Sequence, residues 1–367
     1  MPCRVSENFA MNLIHHQRGF IGLTRHRGLR VVALMALLGN AAQACQVPVF
    51  RYALERWEPA PYTLIITPGR GGLSAGEKEI VELLRHPQTP ANLEIEIKPP
   101  AEKSSLALQC PLKRNDDARQ PIWQSGLTPA NAHAILDSPA RGELRRRLLG
   151  GQTAVWVLLE SGDAAKDAAA FATLGESMKA AQERLKLPEG VITQDEANDP
   201  ARRRENADVL QSDLPLKIDF STLRLSRQNV EEAALIAMLM HAEPDLGDYV
   251  KEPMVFPVFG RGRALEPLIG KGIHADNLLE AAGYLCGACS CEIKEQNPGI
   301  DLLMAADWTP VASKEVIETV VITGVDTANK DDESRRLLGM IVVAGMVALL
   351  LKGWLIARWF ARRKRRP

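Results

Sequence analysis

Residues 251–291 read KEPMVFPVFGRGRALEPLIGKGIHADNLLEAAGYLCGACSC. The apolar run Met254–Phe259 predicts a strand, and a Gly-Arg-Gly turn connects it to a second predicted strand, Ala264–Ile269. A helix is predicted from His274 to Tyr284, and three cysteines follow it within six residues. This stretch therefore combines a hairpin, a helix and the only cysteine cluster of the chain.

Upstream of the hairpin, strands and helices alternate. Ala154–Glu160 is continuously apolar, which is typical of a buried parallel strand, and a helical stretch follows it to about Lys186. Ile218–Leu225 predicts the next strand, and Val230–His241 predicts a helix with one apolar face. The predicted order up to Tyr284 is strand, helix, strand, helix, strand, strand, helix.

This order resembles the thioredoxin fold. Pro253 stands just before the third strand, where that family has its cis-proline. The hairpin around Gly260-Arg261-Gly262 and the helix that follows Gly270-Lys271-Gly272 are also similar. The resemblance implies an α/β fold with a thioredoxin-like mixed sheet and flanking helices.

The resemblance fails where the chemistry of that family takes place. Thioredoxins place Cys-x-x-Cys between the first strand and helix, where the helix N-terminus lowers the thiol pKa. Here that loop reads Ser161-Gly162-Asp163-Ala164 and contains no thiol. The resemblance therefore implies a redox-silent domain that serves binding or scaffolding.

A second strand-helix-strand unit lies in the N-terminal part, at Tyr62–Thr67, Gly76–Leu84 and Leu93–Lys98. Its spacing is that of a parallel pair with a helical crossover. Two interpretations are open: part of a second, degraded copy, or an extension of the same sheet. Residues 99–127 look irregular.

The glycine-rich turn of that unit does not form a nucleotide site. Gly71 and Gly76 have the spacing of a phosphate-binding loop, but Glu77 and Lys78 follow where the motif requires Lys and then Ser or Thr. We therefore predict that the protein binds no nucleotide.

The N-terminus reads as a secretory signal. Three arginines precede the apolar run Val31–Leu38, and Ala42-Gln43-Ala44 fits the small-x-small cleavage rule. Residues 1–24 lie upstream of this pattern, as an early start codon would explain. Cys45 follows the predicted cut, so a lipid-modified cysteine is an alternative, although a lipoprotein usually has Leu at the position of Ala42.

The C-terminus predicts a membrane anchor. Leu337–Ala357 is apolar except for Lys352, is long enough to cross a bilayer, and precedes a tail with six Lys and Arg residues. Under the positive-inside rule this tail is cytoplasmic, and the bulk of the protein is extracytoplasmic, on the periplasmic side of a single-pass cell-membrane protein.

The predicted divisions are a signal peptide region (1–44), an N-terminal α/β region (45–150), a thioredoxin-like domain (151–308), a linker (309–336), a transmembrane helix (337–357) and a basic tail (358–367).

Charge is segregated along the chain. Residues 1–44 carry +4 and residues 337–367 carry +7, so the middle carries −11 because the formal net charge is zero. A middle part this acidic argues against nucleic-acid binding, which usually needs a basic face.

Three stretches also resemble an uncharacterised family of exported, membrane-anchored bacterial proteins. They are CQVPVFRYALERW (45–57), FPVFGRGRALEPLIGKG (256–272) and CSCEIKEQNPGIDLLMAADW (289–308). This resemblance implies a location but no activity.

The cysteines allow three interpretations. In an oxidising compartment, Cys286, Cys289 and Cys291, with Cys45 and Cys110, favour one structural disulfide, and one of these five thiols should remain unpaired or pair between molecules. Cys286 and Cys289 could instead be a redox pair, although their motif follows a helix and so lacks the dipole that acidifies a thiol. The three clustered cysteines could also hold copper(I) or zinc.

The sequence thus favours a non-catalytic, membrane-anchored extracytoplasmic module that binds a protein partner at the membrane and needs no cofactor. The alternative is thiol–disulfide exchange or soft-metal handling through Cys286, Cys289 and Cys291.

Overall fold

The structure is a computed structural model that describes residues 45–111, 120–204, 206–289 and 292–311. Helices and strands alternate along most of this part of the chain. The α-helices are α1 (Val49–Arg56), α2 (Ala75–Arg85), α3 (Pro129–Leu136), α4 (Pro139–Leu149), α5 (Ala164–Arg184), α6 (Gln194–Asn198), α7 (Ala233–Met240) and α8 (Ala275–Cys286). The strands are β1 (Tyr62–Thr67), β2 (Leu93–Ile97), β3 (Ser105–Gln109), β4 (Trp123–Gly126), β5 (Ala154–Leu159), β6 (Val191–Ile192), β7 (Asp208–Val209), β8 (Phe220–Leu225), β9 (Met254–Phe259), β10 (Arg263–Ala264), β11 (Leu268–Ile269) and β12 (Ile300–Asp301). The chain is therefore mixed α/β, as predicted.

The C-terminal sheet is built around β5. Its strand order is β12-β10-β9-β5-β8, and β11 also pairs with β9. β8 runs parallel to β5, whereas β9 is antiparallel to it, and β10 and β11 are both antiparallel to β9. The predicted elements from Ala154 to the end of α8 occur in the predicted order, but β6, α6 and β7 also occur between α5 and β8.

Both faces of β5 are covered, which explains its continuous apolar sequence. Trp156 and Leu158 point into one hydrophobic cluster with α5 and α8. Val155 and Val157 point into a second cluster with α7, because successive side chains of a strand alternate between its faces. All six residues of β5 are buried.

The N-terminal sheet has the order β2-β1-β3-β4. β2 is parallel to β1, β3 is antiparallel to β1, and β4 is antiparallel to β3. The strand order and directions are the same as those of β8, β5, β9 and β10 in the C-terminal sheet. Residues 99–127 were predicted to be irregular, but the structure has β3 and β4 in this range.

The two sheets share one hydrophobic core. Leu64 and Leu106 of the N-terminal sheet belong to the same cluster as Leu144 of α4, Leu235 of α7 and Phe256 of the C-terminal sheet. The last described segment also connects the sheets, because β12 pairs with β10 and Ala305 forms a single bridge to Ala91. The predicted boundary at residue 150 thus separates the two sheets along the chain, while their side chains pack together.

The expected cis bond before Pro253 is wrong, because no peptide bond among the described residues is cis. The chain reverses instead through a 3₁₀ turn at Leu246–Tyr249, and Glu252 N donates to the Tyr249 carbonyl at 2.9 Å. Pro253 then enters β9 with its carbonyl accepting from Gly270 N at 2.9 Å.

Two predicted strands are shorter than expected. Ala264–Ile269 divides into β10 and β11 around Pro267, which has no backbone N–H to donate. Asp301–Ala305 is reduced to the two residues of β12 and the isolated bridge at Ala305.

Over the described ranges, the helices are too short or too polar to span a membrane. The predicted signal peptide region, the transmembrane helix Leu337–Ala357 and the basic tail lie outside the described residues.

Candidate functional site

The loop between β5 and α5, where the thioredoxin resemblance places the redox thiols, is organised by Asp167. Its Oδ1 accepts from Ser161 N at 2.7 Å and from Ser161 Oγ at 2.8 Å, and its Oδ2 accepts from Gly162 N at 3.0 Å. Asp163 caps α5 by accepting from Ala165 N at 3.0 Å and Lys166 N at 3.1 Å. Asp167 is only 3% exposed, so its carboxylate is buried against the loop whose N–H and O–H groups it accepts from.

Two basic side chains connect this loop to the chain that leads into β9. Arg227 donates to the Glu160 carbonyl at 2.8 Å and to the Glu252 carbonyl at 3.3 Å, and burial lowers the pKa of its guanidinium. Lys166 forms an ion pair with Glu252, and this hydrogen bond raises the pKa of Lys166. Both side chains therefore bond to Glu252, which precedes β9.

Exposed apolar side chains occur at the same end of the sheet. Val230, which follows the carboxyl end of β8, is 83% exposed, and Tyr249 and Val250, which precede β9, are 43% and 45% exposed. Asp245 and Asp248 are exposed beside the last two. Large apolar side chains usually avoid such exposure, so this end of the sheet is a candidate interaction surface.

A groove of about 740 Å³ adjoins Val230. It lies between α3, the start of α4 and the residues that precede α7, and its lining includes Asn131, His133, Asp137 and Glu231. Its size is that of a ligand pocket, and its charged lining residues other than His133 are acidic.

The cysteine cluster lies at the opposite end of the C-terminal sheet. α8 starts close to the beginning of β9, since Gly270 is bonded to Pro253, and its 12 residues span about 18 Å before they end at Cys286. Beyond α8, the chain pairs with the residues before α1, through an antiparallel bridge between Pro48 and Ala288. The predicted cysteine site and the β5–α5 loop are therefore separate sites.

The structure brings three of the five predicted cysteines together. Cys286 and Cys289 belong to the hydrophobic cluster formed with α5 and α8, and Cys45 packs against it. Cys110 lies in the other cluster, near Tyr62. Cys291 lies outside the described residues, so the predicted three-cysteine metal site cannot be placed.

Neither bonding prediction for these cysteines is met within the described residues. No disulfide joins any two of Cys45, Cys110, Cys286 and Cys289. Over the same ranges, no three His, Cys, Asp or Glu side chains are grouped as metal ligands. A disulfide or metal site that includes Cys291 stays a prediction.

The environment of the thiols disfavours their ionised form. Burial raises the pKa of Cys286 to about 12. Burial also raises the pKa of Cys45, and the nearby carboxylates of Asp208 and Glu292 add to this effect, while a hydrogen bond from Val47 N opposes it. The thiolate is the nucleophile in disulfide exchange, so burial lowers the reactive fraction of both groups at neutral pH.

A buried ion pair on α1 fixes the end of the molecule that holds these thiols. Arg51 Nε and Glu55 Oε1 lie 2.7 Å apart, with side chains 1% and 0% exposed. Arg51 also donates to the carbonyls of Ser212 and Leu214, and Glu55 accepts from Gln211 N and Ser212 N. This pair was not predicted because α1 was not predicted, although Arg and Glu four residues apart are a helix signal.

The Gly-Arg-Gly turn also has a role that its sequence did not reveal. Arg261 donates to the carbonyls of Leu54 and Glu55 at 2.8 Å each and so caps the C-terminus of α1. Arg263 forms an ion pair with Asp301 at 3.0 Å, which joins the turn to β12. Both arginines are buried, and both act as structural ties.

Comparisons of this chain with protein-family models, with curated proteins and with solved structures find no match.

Proposed function

We propose that this protein is a non-catalytic binding or scaffold module that is anchored in the cell membrane and faces the extracytoplasmic side. Its thioredoxin-like domain is redox-silent and presents a surface to a protein partner at the membrane. The observation that carries this proposal is the β5–α5 loop, in which the carboxylate of Asp167 binds the donors of Ser161 and Gly162 and no thiol is present.

The sheet topology supports the thioredoxin-like assignment. The strands β8, β5, β9 and β11 are neighbours in that order, with β8 parallel to β5 and the others alternating in direction. α5 and α8 cover one face, and α7 covers the other. The N-terminal sheet repeats this strand order without a helix between β2 and β3, which supports a second, degraded copy.

The thiols support a non-redox role. Catalytic cysteines are partly exposed and acidified, whereas Cys286 is 1% exposed and its pKa is raised to about 12. Cys286 and Cys289 also lie at the opposite end of the sheet from the β5–α5 loop. For these reasons the binding module is preferred over thiol–disulfide exchange.

The partner surface is assigned to the end of the sheet that carries Val230, Tyr249 and Val250. Val230 lines a groove whose carboxylates are those of Asp137 and Glu231, and Asp245 and Asp248 are exposed close in sequence to Tyr249 and Val250. Apolar contacts with an acidic surround favour a partner segment that is basic and contains apolar anchors.

Site-specific photo-crosslinking in intact membranes tests this assignment. A benzophenone amino acid at Val230 or Tyr249 of the full chain is expected to yield a discrete crosslinked protein. The matched control is the same group at Ile97, which is 39% exposed on an edge strand of the N-terminal sheet and is expected to yield none.

Two results would contradict the proposal. One is equal crosslinking from all three positions, which would remove the assigned surface. The other is reduction of insulin by the full chain with turnover, which would show that the protein is a thiol oxidoreductase.

The anchor has a separate test. Deleting residues 337–367 is expected to move the exported protein from the membrane fraction to the soluble fraction. Retention of the shortened chain in the membrane, in a form that resists alkaline extraction, would contradict the single C-terminal anchor.

A further inference from the structure

The segment before α1 is paired with the chain that follows α8. Val49 N donates to the Gly287 carbonyl at 3.0 Å, and Cys289 N donates to the Val47 carbonyl at 2.9 Å. This antiparallel pairing places Val47 opposite Cys289. Cys45 lies two residues before Val47, which forms a bend, and the sulfur of Cys45 accepts from Val47 N.

The two thiols, Cys45 and Cys289, share a local environment. The backbone of Val47 contacts both residues, because its N–H donates to the sulfur of Cys45 and its carbonyl accepts from Cys289 N. Both thiols also lie close enough to Tyr52 to contribute to the raised pKa of its hydroxyl, although burial is the largest cause. Cys45 is half-buried, and Cys289 is 1% exposed.

We propose that Cys45 and Cys289 form a reversible disulfide that joins the N-terminal segment to the end of α8. A disulfide needs Cα atoms about 4.4–6.8 Å apart. Cys45 precedes the paired residues, so it can move to this distance from Cys289 while the bridge between Pro48 and Ala288 is kept.

The bond forms by exchange with a disulfide of another protein or of a small molecule. The thiolate of the half-buried Cys45 attacks one sulfur of that disulfide, and the other sulfur leaves as a thiolate. The thiolate of Cys289 then attacks the Cys45 sulfur of the mixed disulfide and releases the second thiolate of the donor. The cysteine pair loses two electrons and two protons, and the donor disulfide is reduced to two thiols.

Two other described cysteines are excluded by their positions. Cys286 is the last residue of α8 and lies three residues before Cys289, the residue that is bonded to Val47. Cys110 follows β3 in the other hydrophobic cluster. The proposed bond is independent of the partner surface, because it lies at the other end of the C-terminal sheet.

Peptide mapping of the full chain tests the pairing. The protein is incubated with oxidised glutathione or with dithiothreitol, alkylated, digested with trypsin and examined by mass spectrometry. The peptide with Cys45 is expected to be linked to residues 272–294 only after oxidation. That peptide also contains Cys286 and Cys291, so fragment ions on both sides of Cys289 must assign the bond.

Variants make the test independent of folding defects. Cys45→Ser changes a half-buried residue and is expected to abolish the link, whereas Cys286→Ala is expected to keep it. Oxidation is expected to raise the Tm of the unmodified chain by about 5 °C or more, since the bond closes a long loop, and Cys45→Ser is expected to remove this rise. A link from Cys45 to any other cysteine, or full alkylation of Cys45 after oxidation, would overturn the proposal.

Discussion

The guanidinium of Arg51 lies 2.7 Å from the carboxylate of Glu55 inside a core from which solvent is almost completely excluded. Each charge is also bonded to the backbone of residues 211–214, so the pair fixes this loop against α1. Two buried charges are tolerated here because each has a charged partner and several hydrogen bonds.

Glu55→Gln is expected to lower the free energy of unfolding by about 3–5 kcal/mol, because it leaves the charge of Arg51 buried without a counter-charge. Urea denaturation followed by circular dichroism measures this loss. Glu82→Gln on α2 is the matched control, since it breaks an exposed pair with Arg85 and is expected to cost less than about 1 kcal/mol. Equal losses in the two variants would mean that the buried pair has no special role.

Gly→Ala substitutions in the Gly-Arg-Gly turn and in α5 are expected to have opposite effects on stability. Gly260 has a φ of 58°, and an added Cβ would lie 2.7 Å from the Cβ of Ala53 on α1. Gly260→Ala is therefore expected to destabilise the protein by about 2–4 kcal/mol. Gly175 is exposed within α5 with no atom near its added Cβ, so Gly175→Ala is expected to stabilise it by about 0.5–1 kcal/mol. Thermal denaturation of both variants checks the opposite signs.

The β5–α5 loop provides a third prediction. Asp167→Asn removes the negative charge and presents an amide N–H₂ to donors that previously met a carboxylate oxygen. The expected loss is about 2–3 kcal/mol in the free energy of unfolding, measured with urea. Asp163→Ala removes only the cap of α5 and is expected to cost about 1 kcal/mol. A neutral Asp167→Asn variant would show that the loop does not depend on this carboxylate.

The strands that were predicted correctly are those whose apolar sequence pattern reflects their burial in the sheet. β1 and β9 have the predicted bounds, and the continuous apolar run from Ala154 was placed correctly because both faces of β5 are covered. β3 and β4 were missed because each has only four or five residues, and because β3 forms by pairing with β1 and β4 by pairing with β3. For strands this short, pairing with neighbouring strands decides whether the strand forms.

The site was less predictable than the fold because its residues meet across long sequence separations. Nothing in the local sequence of Asp167 shows that it accepts from Ser161 and Gly162, and the bond from Cys289 N to the Val47 carbonyl joins residues that are far apart in the chain. The cis-proline prediction for Pro253 rested on resemblance alone. In the structure no described peptide bond is cis, and a 3₁₀ turn precedes Pro253.

The buried thiol of Cys286 predicts a loss of stability at alkaline pH. Burial raises its pKa from 9.0 to about 12, so above pH 9 the unfolded chain loses this proton while the folded chain keeps it. The contribution of this group is complete below pH 9 and falls by up to about 1.4 kcal/mol per pH unit as the pH rises toward 12.

Cys286→Ala is expected to cost some stability at pH 7 through lost packing, but to show a shallower decline between pH 9 and pH 10.5 than the unmodified chain. Urea denaturation across this range, under reducing conditions, measures the two slopes. Cys45→Ser serves as the comparison, because Cys45 is half-buried and its removal is expected to change the slope less. Parallel declines in the unmodified chain and the Cys286→Ala variant would mean that Cys286 titrates alike in the folded and unfolded chains, against a strongly desolvated thiol at the end of α8.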